Sequence, residues 1–256
     1  MATMNTTLVI NSKGGSGKTT VTTNLASFFA SRQVPTTILD YDPQASSLSW
    51  LSLRDRSAAK VHGANAAPQR GGRIRGIEMH VPSETRQLLI DAPAGASGLL
   101  LQEMLARANC IVIPVAPSAF DIYATANFVK ELLLVGRIRT RSIRLAVVAN
   151  RVRSSAPVYR PLERFLSSLG LPFLTRISDS EVYVRAAETG LGVFDMDESA
   201  GAERGEFMPI VDWVGGQRAP EADAERKVID LAQPRWTDRI RVPFSRQGLS
   251  SVSGAS

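Results

Sequence analysis

The sequence predicts an α/β protein: a doubly wound, mostly parallel sheet flanked by helices. Three observations carry this. Short, almost wholly apolar runs such as Cys110–Val115 and Ile143–Ala149 alternate with segments of helical period, as expected of strands covered on both faces. A glycine-rich stretch, residues 13–17, separates the first strand from the first helix. The length, 256 residues at 44% hydrophobic and 21% charged, suits one well-buried core.

In chain order, Thr6–Asn11 reads as a short strand and Thr19–Ser31 as a helix with Val21, Leu25, Phe28 and Phe29 inward. Thr36–Asp40 is a second strand and Ser46–Arg54 a helix. Pro68, Gly71, Gly72 and Gly76 punctuate residues 56–84, leaving Val61–Ala64 as a short strand. Gln87–Asp91, Cys110–Val115, Ile143–Ala149 and Phe173–Ile177 are further strands. Leu99–Arg107, Ile122–Val135 and Pro157–Leu169 are the intervening helices, the last with proline near its start, where it is tolerated. Helical segments follow near 180–189 and 206–214. These elements make residues 1–216 one domain. Beyond Gly215–Gly216 the composition shifts, and 217–256 reads as a mostly disordered tail.

Composition excludes several classes. No run approaches the roughly 20 apolar residues of a membrane span, and no basic segment precedes a long apolar stretch at the start, against a secretory signal. Cys110 is the single cysteine, which rules out an intramolecular disulfide and suits a reducing, cytoplasmic setting. One cysteine and two histidines also argue against a dedicated zinc site. Cys110 itself reads as a small apolar core residue, and Trp50 and Trp213 as packing residues.

The formal net charge is +6, carried mostly by arginine. Between Gly136 and Phe165 lie Arg137, Arg139, Arg141, Arg144, Arg151, Arg153, Arg160 and Arg164, with Glu163 the only acid. A field of one sign over that stretch attracts a polyanion, although each arginine taken singly could be plain solvated surface.

The most specific motif is Lys13-Gly14-Gly15-Ser16-Gly17-Lys18-Thr19-Thr20, after a strand and opening a helix. Glycines let the backbone turn and aim N–H groups into one hollow, and the helix start adds partial positive charge. Lys18 can reach β- and γ-phosphates and the Thr19 hydroxyl can ligate magnesium. The standard phosphate loop needs glycine four residues before Gly17; Ser12 stands there. Downstream, Asp40 and Asp42 lie in ILDYDPQ and Asp91 in LLIDAPAG, at strand ends where open α/β sheets bind ligands. A lone aspartate there is usually a helix cap; three after a phosphate loop point to metal and water chemistry.

The loop fits a deviant pattern at every position, Lys-Gly-Gly-x-Gly-Lys-Thr, and with it the chain resembles the ParA/MinD family from about Thr6 to Val214. The resemblance implies that Lys13 reaches the nucleotide of a partner protomer in an ATP sandwich dimer, and that Gly14, Gly15, Ser16, Gly17, Lys18, Thr19 and Thr20 bind ATP. It makes ILDYDPQ switch I, with Asp42 activating the attacking water and Asp40 supporting the Mg2+ shell. It makes DAPAG switch II, with Asp91 holding Mg2+ through water and Gly95 able to turn its backbone toward a γ-phosphate. The Asp40 and Asp42 roles could exchange, since alternation along an extended strand puts both on one side.

Asn150 ends an apolar strand. Its amide suits the adenine N6/N7 edge, and Arg153 stands where guanine readers carry a carboxylate, favouring ATP over GTP. The lesser alternative is that Asn150 just ends the strand in a turn. Asp121-Ile-Tyr-Ala-Thr and the helix after it resemble small ParA proteins that position cargo, including the carboxysome-positioning kind. The implied function is an ATPase that binds nonspecific DNA of the nucleoid as a homodimer. It would partition a plasmid, chromosome or protein organelle, with a ParB-like or cargo-adaptor protein stimulating hydrolysis. Arg137, Arg139, Arg141, Arg160, Arg164, Arg185 and Arg204 are the expected DNA contacts, although Asp179 stands where relatives often carry a basic residue. The alternative is a MinD-like membrane-docking ATPase using Trp236, Ile240, Val242 and Phe244 as an interfacial segment, which Pro234 and Pro243 cut short. A nitrogenase-iron-protein-like enzyme would need more cysteines to bridge subunits through a cluster.

Overall fold

The computed structural model describes residues 4–68, 79–135, 143–153 and 171–216. Within them seven strands form one sheet: β1 (Asn5–Val9), β2 (Thr36–Asp40), β3 (His62–Asn65), β4 (Gln87–Asp91), β5 (Cys110–Val115), β6 (Arg144–Val152) and β7 (Phe173–Ser178). Their order is β3-β2-β4-β1-β5-β6-β7 and every pairing is parallel. The helices are α1 (Lys18–Ser31), α2 (Ser46–Leu53), α3 (Gly98–Arg107), α4 (Ala119–Val135), α5 (Glu181–Glu188) and α6 (Gly201–Val214). A 3-10 turn, Glu198–Ala200, precedes α6. The expected helix over Pro157–Leu169 and the tail 217–256 lie outside the described residues.

Side chains alternate across the sheet because the strand period is two. Leu8, Leu39, Leu88, Ile90, Ile111, Ile113 and Val147 face one layer, with Leu101 and Met104 of α3 and Phe128 and Leu132 of α4. Val9, Ile38, Leu89, Val112, Ala146 and Val148 face the other, with Val21 and Leu25 of α1 and Phe207 and Ile210 of α6. Cys110, Trp50 and Trp213 are core residues of this second layer, as expected. Phe28 and Phe29 are half-buried at its margin.

Pro114 sits in a central strand, where a missing N–H normally breaks a ladder. Here β1 has already ended: its register with β5 stops at Val9 opposite Val112. The Pro114 carbonyl is taken by the Asn11 side-chain amide at 2.8 Å. The first strand thus gives way to the loop at the point where β5 can carry a proline.

A buried ion pair fixes α2. The Arg54 guanidinium donates to both Asp195 carboxylate oxygens, at 2.7 and 2.8 Å, and to the carbonyls of Gly190 and Ala59. The two side chains are 5% and 7% exposed. Burial pushes the Asp195 carboxyl up, but the Arg54 bonds and the Gly192 N–H outweigh it, leaving the group below its ordinary range. A carboxyl with a lowered folded pKa stabilises above its unfolded value, and that stability is lost as pH falls through the folded one. Asp195→Asn should therefore cost about 3 kcal/mol at neutral pH by stranding a buried guanidinium. In urea unfolding, its gap from wild type should close below pH of about 4; a gap unchanged with pH would contradict this pairing.

A candidate nucleotide and magnesium site at the first loop

The chain leaves β1 on one side of the sheet for α1 and later recrosses it from β4 to β5 through α3, so the carboxyl ends of β1 and β4 border a switch-point crevice. Residues 10–17 fill the turn there. Gly15 and Gly17 have φ of +74° and +92°, which side-chain-bearing residues rarely adopt. Gly17 precedes α1 without a side-chain cap, and the first turn of α1 carries no acid, so its N–H groups stay available to an anion. Lys18 is 7% exposed, and its Nζ donates to the Lys13 carbonyl at 3.0 Å. Burial lowers its pKa, while Asp91 and Asp42 act to raise it.

Thr19, Asp91 and Asp42 come together around that ammonium. The Thr19 hydroxyl donates to Asp91 Oδ2 at 2.8 Å. Asp91 Oδ1 is buried with no hydrogen-bond partner. Burial, then the neighbouring Asp40 charge, push the Asp91 carboxyl up to about 7, against the Thr19 bond and Lys18. A carboxylate so placed, with one oxygen unsatisfied, fits a divalent cation, whose charge would favour its ionised form. Among the described residues no cage of three His, Cys, Asp or Glu side chains forms. A cation held by Thr19 and Asp91 would therefore share its shell with phosphate oxygens and water.

Asp40 and Asp91 are register partners on adjacent strands. Asp40 is fully buried and accepts from the Asp42 N–H, and from the Ser47 N–H, Ser47 hydroxyl and Leu48 N–H. Asp40 thus caps the start of α2 and braces the turn at residues 40–42, as isolated strand-end aspartates commonly do. Asp42 is half-buried; one of its oxygens accepts from the Gln44 N–H at 2.9 Å.

Asn150 lies against the loop. Its side chain is 1% exposed and its Nδ2 donates to the Ser16 carbonyl at 2.9 Å. A Cβ on Gly17 would lie 1.8 Å from that Nδ2. The amide is turned into the fold as a latch beneath the loop, because Gly17 leaves it room.

Composition and spacing did not single out Asn11, yet it ties the loop to its surroundings. It is fully buried, donates to Pro114 and to the Thr125 hydroxyl of α4, and accepts from the Lys13 N–H. Its place as the first polar residue after an apolar run was the available signal. The turn after β4 touches the loop as well: the Gly95 N–H donates to the Ser12 carbonyl at 2.9 Å, with Gly95 at φ +68°. The Arg54–Asp195 pair ties the end of α2 to the 190–195 loop, which reaches α1 through the Val193 N–H and the Asn24 side chain.

Of the expected DNA contacts, Arg137, Arg139, Arg141, Arg160 and Arg164 lie outside the described residues. Arg185 is exposed on α5. Arg204 is half-buried and spends its guanidinium on the Met196 and Asp197 carbonyls, bracing the turn before α6. Arg144, from the same basic cluster, stacks on Trp213 at 4.9 Å and donates to the Trp213 and Val214 carbonyls, closing the end of α6. Among the described residues no helix is long and apolar enough to cross a membrane.

Residues 7–193 match the CobQ/CobB/MinD/ParA nucleotide-binding domain. Over 214 residues, 82% of this chain and 95% of the relative, the sequence is 25% identical to the Maintenance of carboxysome distribution protein A of Halothiobacillus neapolitanus. The fold resembles the MinD cell division protein of Aquifex aeolicus with a TM-score of 0.64 at 18% identity, over 84% of this chain and 98% of that one. It resembles the ATP complex of Cyanothece McdA with a TM-score of 0.59 at 15% identity, over 86% and 100% of the two chains. The parallel sheet, the glycine loop at its switch point and a family match over most of the length agree: the chain belongs to the CobQ/CobB/MinD/ParA family of nucleotide-binding domains.

Proposed function

We propose that this chain is a magnesium-dependent ATPase that pairs through ATP, holds nonspecific DNA as a dimer, and positions a cargo. The observation that carries the reading is the unsatisfied Asp91 Oδ1 beside the Thr19 hydroxyl, in charge range of Lys18. Gly14, Gly15, Ser16, Gly17, Thr19 and Thr20 offer their amides or hydroxyls to the phosphates, and Lys18 neutralises charge that builds on them. Magnesium, when bound, supplies charge stabilisation at the phosphate oxygens. Asp42 orients the attacking water. Asp40 keeps Asp42 in place through its N–H.

Lys13 is assigned to the nucleotide of the second protomer. Three large apolar side chains support a second copy on this side: Leu99 on the first turn of α3, and Phe120 and Tyr123 on the first turns of α4, are exposed. Both helices start at the carboxyl edge of the sheet. Two protomers double the arginines presented to phosphates, which makes DNA binding steep in salt and indifferent to sequence. Release of the γ-phosphate frees both switches and the dimer opens. Turnover is slow until a ParB-like or cargo-adaptor protein stimulates it. The carboxysome distribution protein among the relatives favours a protein organelle as cargo over a plasmid or chromosome. A nucleoid-associated, cytoplasmic location follows from this reading.

The test is DNA retention by gel shift with and without Mg2+ and ATP. Wild type should retard duplexes of unrelated sequence alike in the presence of ATP, and Lys18→Ala should not. Retention indifferent to nucleotide would defeat the switch.

A further inference from the structure

The carboxyl ends of β6 and β7 carry a charge arrangement outside the core. Asp179, directly after β7, accepts from Arg151 Nε at 3.3 Å and from Arg153 Nε at 2.7 Å. The arginine side chains are 63% and 74% exposed, against 21% for Asp179. Two long cations in solvent thus converge on one half-covered carboxylate.

The backbone is shaped to bring this about. Register between β6 and β7 slips between Ala149 and Val152, and Arg151 has φ of +56°. That conformation costs about 1–2 kcal/mol for a residue with a side chain. Nothing in the core requires the ion pairs to hold it. Val152 is buried between the arginines, and the Asp179 N–H donates to the Val152 carbonyl, so the main chain closes without either guanidinium. Exposed pairs of this kind add little to stability. Two exposed cations that converge on one carboxylate for so little return in stability stay available to another anion.

We propose that Arg151 and Arg153 are DNA-phosphate contacts that Asp179 holds in reserve, its carboxylate standing in for a phosphate until one displaces it. A carboxylate and a phosphate offer an arginine fork the same paired oxygens, so the exchange is a direct competition. The pair also sits next to Asn150, whose amide latches the phosphate loop through Ser16. This deepens the proposed function and rests on its DNA-binding reading. Hydrogen bonds from Arg153, outweighing partial burial, and from Arg151 keep the Asp179 carboxyl below its usual range, so it is fully charged at neutral pH and competes at full strength.

The experiment measures binding of a fluorescein-labelled duplex of arbitrary sequence to the full chain with Mg2+ and ATP, by anisotropy, across a salt series. Asp179→Asn should bind about fivefold tighter than wild type and steepen the log K against log salt line by about one. Arg151→Ala with Arg153→Ala should flatten it by about two and weaken binding of every sequence alike. Adding Asp179→Asn to that double variant should restore nothing. Urea midpoints within error of wild type show that the variants are folded. If wild type binds DNA and Asp179→Asn neither tightens nor steepens, the reserve is wrong while the DNA reading stands. If the triple variant keeps the gain, the two arginines are not the contacts and the proposal fails. If no variant binds DNA at any salt, the proposal falls together with the DNA reading.

Discussion

Gly17→Ala should abolish nucleotide binding, with affinity for ATP down by about 100-fold or more, equivalent to roughly 3 kcal/mol. Two effects add. The φ of +92° at this position strains any residue with a Cβ. The new methyl would also sit 1.8 Å from Asn150 Nδ2 and 2.8 Å from its Cγ, so the amide must leave the Ser16 carbonyl. Both groups are buried, and breaking their bond costs a further 1–3 kcal/mol or so. Unfolding should show a loss of about 2–4 kcal/mol. Its neighbours give a graded control. At Gly15 φ is +74° but the space is open, so alanine there should cost only the strain, about 1 kcal/mol. At Gly14 a Cβ meets only the Ala94 methyl at 3.9 Å, an ordinary contact, and alanine should be tolerated. Calorimetric titration with ATP across the three variants checks the order; equal losses at all three would contradict the geometry.

Asp91→Asn should separate stability from activity. The buried carboxylate stands beside Asp40 with one oxygen unsatisfied, an arrangement that disfavours its charge. An amide is easier to bury, and its oxygen can still accept from the Thr19 hydroxyl. The melting temperature in chelator should therefore hold or rise. Hydrolysis should fall by about 100-fold or more, because the charged oxygen that would hold magnesium's shell is gone. Steady-state phosphate release beside a thermal scan measures both. Wild-type turnover in this variant would remove Asp91 from the metal site; a collapse in stability would mean that the carboxylate serves the fold.

The fold was legible wherever the chain is apolar and sharply bounded. β2, β4 and β5 begin and end where the sequence predicts, since each is buried end to end and followed by a turn or a polar break. Errors fall where tertiary pairing outruns the pattern. β6 continues through Arg151 to Val152 because β7 stays alongside it, though Asn150 and Arg151 look like a strand's end. α6 starts at Gly201, several residues before the predicted segment, since glycines at 201 and 205 hide its first turns. In the site, the glycine loop with its lysines and Thr19 was legible because those residues are contiguous, and Asp91 was marked by its place at the end of an apolar strand. The partners of Asp40, Asn150 and Arg204 were not visible in that way. Each makes contacts through backbone carbonyls or N–H groups, which the identity of a side chain does not disclose. The Arg54–Asp195 pair joins residues far apart in sequence and leaves no periodic trace.

The assignment of Lys13 to a neighbouring protomer's nucleotide decides whether ATP works as a switch between one copy and two. Light scattering on the full chain, saturated with Mg2+ and a non-hydrolysable ATP analogue, measures this most directly. Wild type should run at twice the mass of one chain, and Lys13→Ala, with its analogue affinity verified separately, at the mass of a single chain. A wild-type protein that stays single at saturation would contradict the account.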